Sequence, residues 1–138
     1  MPKPGCDRGY LLTCGPMADI VLVEDNETLA RAFAIGLEYH GHLVRVAGDD
    51  AGLRRELEVR IPDLILLDVG LPDIDGVEIL RELREEPSTA GIKVAIISNY
   101  SDRNLIHRAL RLDALDFVEK ASITPTLLAD QVRRWLER

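Results

Sequence analysis

From Asp19 onward the chain alternates between two patterns, and that alternation limits the folds open to it more than any other feature. Short runs rich in Val, Ile and Leu recur at Ile20–Val23, Leu64–Leu67, Val94–Ile97 and Leu115–Val118. Such runs suit strands covered on both faces, as in a parallel sheet. Leu43–Val46 alternates apolar with polar, which suits an edge strand with one wetter face. Between the runs lie segments of helical period. Leu29, Phe33 and Leu37 share one face, as do Leu53 and Leu57, then Val77, Leu80 and Leu83 with Ile79 beside them. Leu105, Ile106, Ala109 and Leu110 make a fourth stripe, and Leu128, Val132 and Trp135 a fifth, with Leu136 adjacent. Gly41 and Gly91 follow helical segments as stop signals. Thr124-Pro125 reads as an N-cap with proline at the first helical position.

Five β-α units in succession imply a parallel sheet with helices on both faces. The expected architecture is a doubly wound α/β fold: a flavodoxin-like (βα)5 three-layer sandwich with strand order 2-1-3-4-5. Ligands of such sheets bind beyond the carboxyl ends of the strands, so the chemistry is sought there. The first strand ends in Glu24-Asp25, the third in Asp68 and the fourth in Ser98, and the fifth is followed by Lys120. Three acids on one rim repel one another, which raises their pKa values or calls for a cation. A hard divalent cation with oxygen ligands answers that need. Mg²⁺ suits it best, because it keeps several waters and uses one or two carboxylates plus phosphate oxygens.

On this reading Asp68 attacks a phosphoryl group and becomes an aspartyl phosphate. Lys120 gives a fixed positive charge to one phosphate oxygen, and Ser98 donates a hydrogen bond to another. Each residue also has a bland reading. A lone acid after a strand is usually a turn or cap residue, a lone serine a loop hydroxyl, and a lone lysine a solvated charge. The combination, in order on one rim, favours the chemistry.

Bulk properties agree with one domain. The chain has 138 residues, 46% of them hydrophobic and 30% charged, with a formal net charge of −7. That charge disfavours nonspecific nucleic-acid binding, which runs on Lys and Arg. No apolar run approaches a membrane span. The N-terminus lacks the continuous apolar region of a signal peptide, since Leu11-Leu12 stand nearly alone, so the expectation is a cytoplasmic protein. Residues 1–17 are rich in Pro and Gly and read as a flexible tail, with the domain at 18–138. Cys6 and Cys14 have no metal-site spacing and read as two thiols in that tail.

The acidic pair in IVLVEDN, the aspartate in LILLDVGLPDIDG, the hydroxyl in VAIISNYS and the lysine in LDFVEK together resemble the receiver domain of two-component response regulators. The resemblance runs from about Ala18 to the C-terminus, with a chemotaxis-type single-domain architecture. It implies Asp68 as phosphoacceptor, Asp25 as a direct Mg²⁺ ligand and Glu24 as a second acid acting through water. Metal is also held by Asp68 and the backbone carbonyl of Gly70. It implies Ser98 as the switch hydroxyl, Lys120 as the phosphate-binding lysine and Phe117 as a rotameric aromatic, for which a plain buried strand residue is an equal reading. Leu71-Pro72 and Gly76 match the loop after the phosphorylation site, Gly76 having a local reading as a residue able to take a positive φ.

The implied donor is a sensor histidine kinase or a histidine phosphotransfer protein. The implied output is a shift of the face made by the fourth helix, fifth strand and fifth helix, for partner docking or homodimerisation. Arg108, Arg111, Arg133 and Arg134 on the last two helices could serve such a face, or simply be solvated. The last helix ends near Arg138, which leaves no room for a DNA-binding domain in this chain, so the expectation is either a single-domain regulator or a fragment of a longer protein. The resemblance also implies a protein that catalyses its own phosphorylation and dephosphorylation, with no separate turnover.

Three departures stand out. Ala121 replaces the proline that usually follows the lysine, where a cis peptide costs about 3–4 kcal/mol for a non-proline. Asn99 replaces a small residue after the hydroxyl. Gly70 and Tyr100 occupy positions that tune phosphate lifetime, and the bulk of Tyr100 suggests a long-lived phosphoform. The competing readings are a phosphorylation-independent pseudo-receiver and an aspartyl-phosphate phosphatase. The second lacks its expected acid, because Gly70 stands two residues past Asp68. A dinucleotide fold lacks G-x-G-x-x-G.

Overall fold

The computed structural model describes residues 17–70, 75–99 and 103–138. Its sheet has five parallel strands: β1 (Asp19–Val23), β2 (Leu43–Ala47), β3 (Leu64–Leu67), β4 (Lys93–Ser98) and β5 (Phe117–Glu119). Their order is β2-β1-β3-β4-β5, as the alternation predicted. The helices are α1 (Glu27–Tyr39), α2 (Asp50–Val59), α3 (Gly76–Glu85), α4 (Arg103–Arg111) and α5 (Pro125–Glu137). Residues 1–16, including Cys6 and Cys14, lie outside the described residues, as do Leu71, Pro72 and Tyr100. Met17, read from sequence as the end of a tail, donates its N–H to Gly41 O at 2.8 Å.

The period of two along the strands divides the core. Val21, Val23, Ile65, Leu67, Val94 and Ile96 face one way, onto Leu53 of α2, Val77, Leu80 and Leu83 of α3 and Ala109 of α4. Ile20, Leu22, Leu64, Leu66, Ala95 and Ile97 face the other, onto Phe33 and Leu37 of α1 and Leu128, Val132 and Trp135 of α5. A fully buried Trp or Phe in such a layer costs about 3–5 kcal/mol when cut to Ala. β2 is the wetter edge foreseen in its pattern, with Leu43 and Val46 exposed.

Local signals act as the chemistry of caps requires. Asn26, Asp49, Asp75 and Thr124 accept backbone N–H bonds at the starts of α1, α2, α3 and α5, and Pro125 follows Thr124 at the first helical position. Gly41 ends α1 with φ 92°, open to glycine at no steric cost. Four expectations are corrected. Gly91 has no positive φ and is not the stop of α3, which ends six residues earlier at Glu85. Leu110 is 48% exposed, so only Ala109 of the fourth stripe is fully buried. The fifth strand sits two residues later than Leu115–Val118, although Leu115 N–H already bonds Val94 O at 2.8 Å. Gly76 is not in the positive-φ region; its role is close approach, described below.

The rim at the strands' N-terminal ends is dense with matched charge. Arg45 donates from Nε to Asp19 Oδ1 (3.1 Å) and from Nη2 to Asp19 Oδ2 (3.2 Å). It also reaches Glu56 O and Arg60 O, and Arg60 itself pairs with Asp19. Arg84 donates to the carbonyls of Ala90, Ile92, Leu112 and Asp113, tying together the turns that lead into β4 and β5. Lys93 donates to Trp135 O, Leu136 O and Arg138 O at the C-terminus of α5, where a cation is favoured.

Candidate phosphoryl-acceptor site

The opposite rim carries the candidate chemistry. Hydrogen bonds Glu24 N–H to Ala47 O (2.9 Å) and Asp68 N–H to Val23 O (3.1 Å) continue the ladder past β1 and β3. Parallel strands in register thus bring the acids that follow them to one level. Glu24, Asp25 and Asp68 each offer a carboxylate oxygen, and the three lie within 4.8 Å of one another. Glu24 and Asp68 are 4% and 5% exposed, while Asp25 is open to solvent. Two buried carboxylates at such a distance need a countercharge.

Lys120 supplies part of it. Its Nζ lies 2.6 Å from Glu24 Oε1 and 2.8 Å from Asp68 Oδ2. Burial alone pulls the lysine pKa down, but hydrogen bonds to Asp68 and Glu24 and their charges outweigh it, so the net shift is upward. Burial pushes the Glu24 carboxyl up, aided by the charge of Asp68 and opposed by Lys120 and the Asn26 N–H. Glu24 Oε2 accepts that N–H at 3.0 Å. One ammonium therefore serves two buried carboxylates, and a third acid stands beside them.

Asp68 is fixed from its own backbone as well. Its Oδ1 accepts the Gly70 N–H at 2.9 Å. Gly76 opens α3 directly against it: a Cβ there would fall 2.5 Å from Val69 Cα and 2.7 Å from Asp68 O. Only glycine allows the helix start this close to the acceptor, and Gly76 N–H bonds Val69 O at 3.2 Å. Ser98 is fully buried at the end of β4, aligned with Glu119 of β5. Phe117 is half-buried on β5, aligned with Ile96 and packed against the core layer of α2, α3 and α4. Lys120 opens a 3-10 turn over Lys120–Ser122, and among the described residues there is no cis peptide, so Ala121 follows in trans.

The family model for "Response regulator receiver domain" matches residues 20–133. The chain belongs to the response regulator receiver domain family. The receiver is 36% identical over 121 residues to the phosphate regulon transcriptional regulatory protein PhoB of Rhizobium meliloti, an alignment covering 86% of this chain and 52% of that protein. It is 35% identical over 104 residues to the KDP operon transcriptional regulatory protein KdpE of Escherichia coli, covering 75% and 45%. The chain thus spans about half the length of these relatives. Among solved structures, the signal receiver domain of a histidine kinase from Syntrophus aciditrophicus aligns with TM-score 0.76 and 32% identity, covering 87% of this chain and 90% of that one. A CheY-like receiver domain protein from Methanospirillum hungatei aligns with TM-score 0.79 at 23% identity, covering 86% and 93%, and attests the fold.

The receiver gathers Glu24, Asp25, Asp68 and Lys120 as the sequence suggested. Two features were not foreseen. The bond from Lys120 to Glu24 had no sequence signal beyond the lysine itself. The steric demand at Gly76 had one, a glycine at a helix start, which was assigned to the wrong cause. Oxygen-only donors, two of them buried and sharing one ammonium, fit a hard divalent cation. Among the described residues no helix is long and apolar enough to cross a membrane.

Proposed function

We propose that this receiver takes a phosphoryl group onto Asp68 from a sensor histidine kinase or a histidine phosphotransfer protein. The observation that carries the proposal is the Asp68 carboxylate, buried at the end of β3 and held between Lys120 and the acids Glu24 and Asp25. An oxygen of Asp68 forms a bond to phosphorus as the bond to the donor's imidazole nitrogen breaks; the donor ring, already protonated on its other nitrogen, leaves as neutral imidazole. Lys120, already bonded to Asp68, is positioned to follow a phosphate oxygen with its charge. Glu24, Asp25, Asp68 and the carbonyl of Gly70 would hold Mg²⁺, Glu24 through water. That ion would supply charge neutralisation for the phosphoryl oxygens.

Ser98 is proposed as the hydroxyl that follows the phosphate, and Phe117 as the aromatic that follows Ser98. Their movement alters the face made by α4, β5 and α5, which docks a partner or a second receiver. The same rim hydrolyses the acyl phosphate in time, with no separate substrate. We assign 18–138 to the receiver and 1–17 to a tail, in a cytoplasmic protein. A phosphorylation-independent pseudo-receiver is not favoured, because the acids and the lysine stand together. Two organisations are carried forward: a chemotaxis-type single domain, and a receiver within a longer regulator. The second is favoured by the names and lengths of the curated relatives, transcriptional regulators of which the match spans about half.

The test is incubation with Mg²⁺ and acetyl phosphate, followed by intact-mass and peptide analysis. One phosphate on the wild type, lost in Asp68→Asn and without Mg²⁺, is expected. Equal labelling of Asp68→Asn, or none on the wild type, refutes the assignment.

A further inference from the structure

Among the described residues, β2 pairs only with β1, so its outer edge, remote from the α4-β5-α5 face, has no partner strand. Edge strands present unpaired N–H and C=O groups, and soluble proteins usually blunt them with charge, proline or a covering segment. β2 reads Leu43-Val44-Arg45-Val46-Ala47, and its one charge is turned inward onto Asp19 and Glu56. Six of the nine exposed large hydrophobic residues among those described flank this strand: Ile35, Tyr39, Leu43, Val46, Val59 and Ile61. Ile35 lies with Val44 and Val46 in one groove between α1 and β2. Val59 and Ile61 bracket Arg60, whose carbonyl is held by Arg45. The other three exposed large hydrophobic residues among those described are Met17, Leu110 and Leu127.

We propose that β2 is the interface for a second copy of this chain, pairing antiparallel about a twofold axis at Arg45. The hydrogen-bond direction of β2 fixes that register. Leu43 N–H bonds Ala18 O and Ala47 O accepts from Glu24 N–H, so residues 43 and 47 address β1. By the period of two, Arg45 does the same, and the N–H and C=O of Val44 and Val46 point outward. In an antiparallel pair, two residues with outward groups exchange both their bonds. A twofold axis at Arg45 sets Val44 of each copy opposite Val46 of the other, so every outward group on these residues finds its partner. The two valine pairs share the α1 side of the sheet, where apolar cross-strand pairs are favourable. The six residues, each between 38% and 80% exposed, would extend the contact beyond the strands themselves toward the ~800 Å² per partner of a standard interface.

The pairing is isologous and closes at two copies, which leaves the α4-β5-α5 face of each copy free. It is independent of the phosphorylation state and does not rest on the assignment of Asp68. The formal charge of −7 per chain opposes association, so added salt strengthens the dimer.

Sedimentation velocity on the full chain over a range of concentrations tests this, with Val46→Lys and Val46→Pro as variants. Proline at 46 removes an outward N–H without touching the ladder to β1. Circular dichroism confirms that each variant is folded, and acetyl phosphate labelling stays at the wild-type level. A wild-type dimer whose dissociation constant rises at least tenfold in both variants is expected. Amide hydrogen exchange should slow at Val44 and Val46 as concentration rises. A monomer at every concentration overturns the proposal, as does a dimer unaffected by either variant. Protection of Val44 and Val46 that persists on dilution of a monomer assigns the edge to the chain's own remaining residues and also overturns it.

Discussion

The two rims of the parallel sheet are built from the same kinds of residue and solve opposite problems. At the N-terminal rim, Asp19 receives Arg45 and Arg60, while Arg84 and Lys93 are committed to backbone carbonyls. At the C-terminal rim, among the described residues, the two buried carboxylates share Lys120 and the exposed Asp25 stands beside them. The first arrangement is matched and holds turns and helix ends in place. The second carries excess negative charge that the fold tolerates without satisfying. A protein without use for that excess would lose little by removing one acid, so the mismatch supports the proposal that this rim is the working end.

Substitutions should separate the rims. Arg45→Met leaves Asp19 and Glu56 half-paired at a nearly buried site, and a loss of about 3–5 kcal/mol is expected by urea unfolding. Labelling of Asp68 in the folded fraction should persist; its loss would break the division between scaffold and site.

His42 is the exception at the N-terminal rim, because its Nδ1 is buried with no hydrogen-bond partner. Burial holds its imidazole below the ordinary 6.5, and His40 adds to the effect. The unfolded chain therefore takes up the proton more readily. Stability should be full above pH 6.5 and should fall as pH drops from there through the lowered folded value. His42→Leu should flatten that stretch of the stability–pH curve. An unchanged slope would show that another group drives it.

The smallest effect is the most informative. Glu24→Gln breaks a 2.6 Å ion pair, yet burial already pushes that carboxyl toward its neutral form. The cost at pH 7 should be smaller than for Arg45→Met. As the folded pKa is raised, ionised Glu24 weighs against the fold increasingly as pH climbs from 4.5 through that value. A loss as large as that of Arg45→Met would mean that both rims are scaffold.

The alternating pattern made the sheet and its order legible, because a run buried on both faces differs from a helical stripe at any sequence distance. The acids were legible for the same reason: a strand end is one residue after its run, and register carries Glu24, Asp25 and Asp68 to one level. Properties that depend on what another segment does were not legible. Gly76 matters because the backbone of Asp68 and Val69 passes within a Cβ's reach. Leu110 fits the stripe of α4, yet among the described residues it is 48% exposed. The fifth strand begins late because Asp116 interrupts Leu115–Val118, its carboxylate accepting the Phe117 N–H at 2.8 Å and the Trp135 Nε1–H at 3.4 Å.

The central claim is that the C-terminal rim holds more negative charge than the protein can neutralise, kept for a divalent cation. Thermal melting against Mg²⁺ concentration tests it directly. The wild-type melting temperature should rise with Mg²⁺ by linkage, by an amount that grows with the logarithm of concentration above the dissociation constant. Asp25→Asn should blunt that rise and Arg45→Met, though less stable, should keep it. A wild type whose melting temperature ignores Mg²⁺, or a rise that Asp25→Asn leaves intact, would contradict the claim.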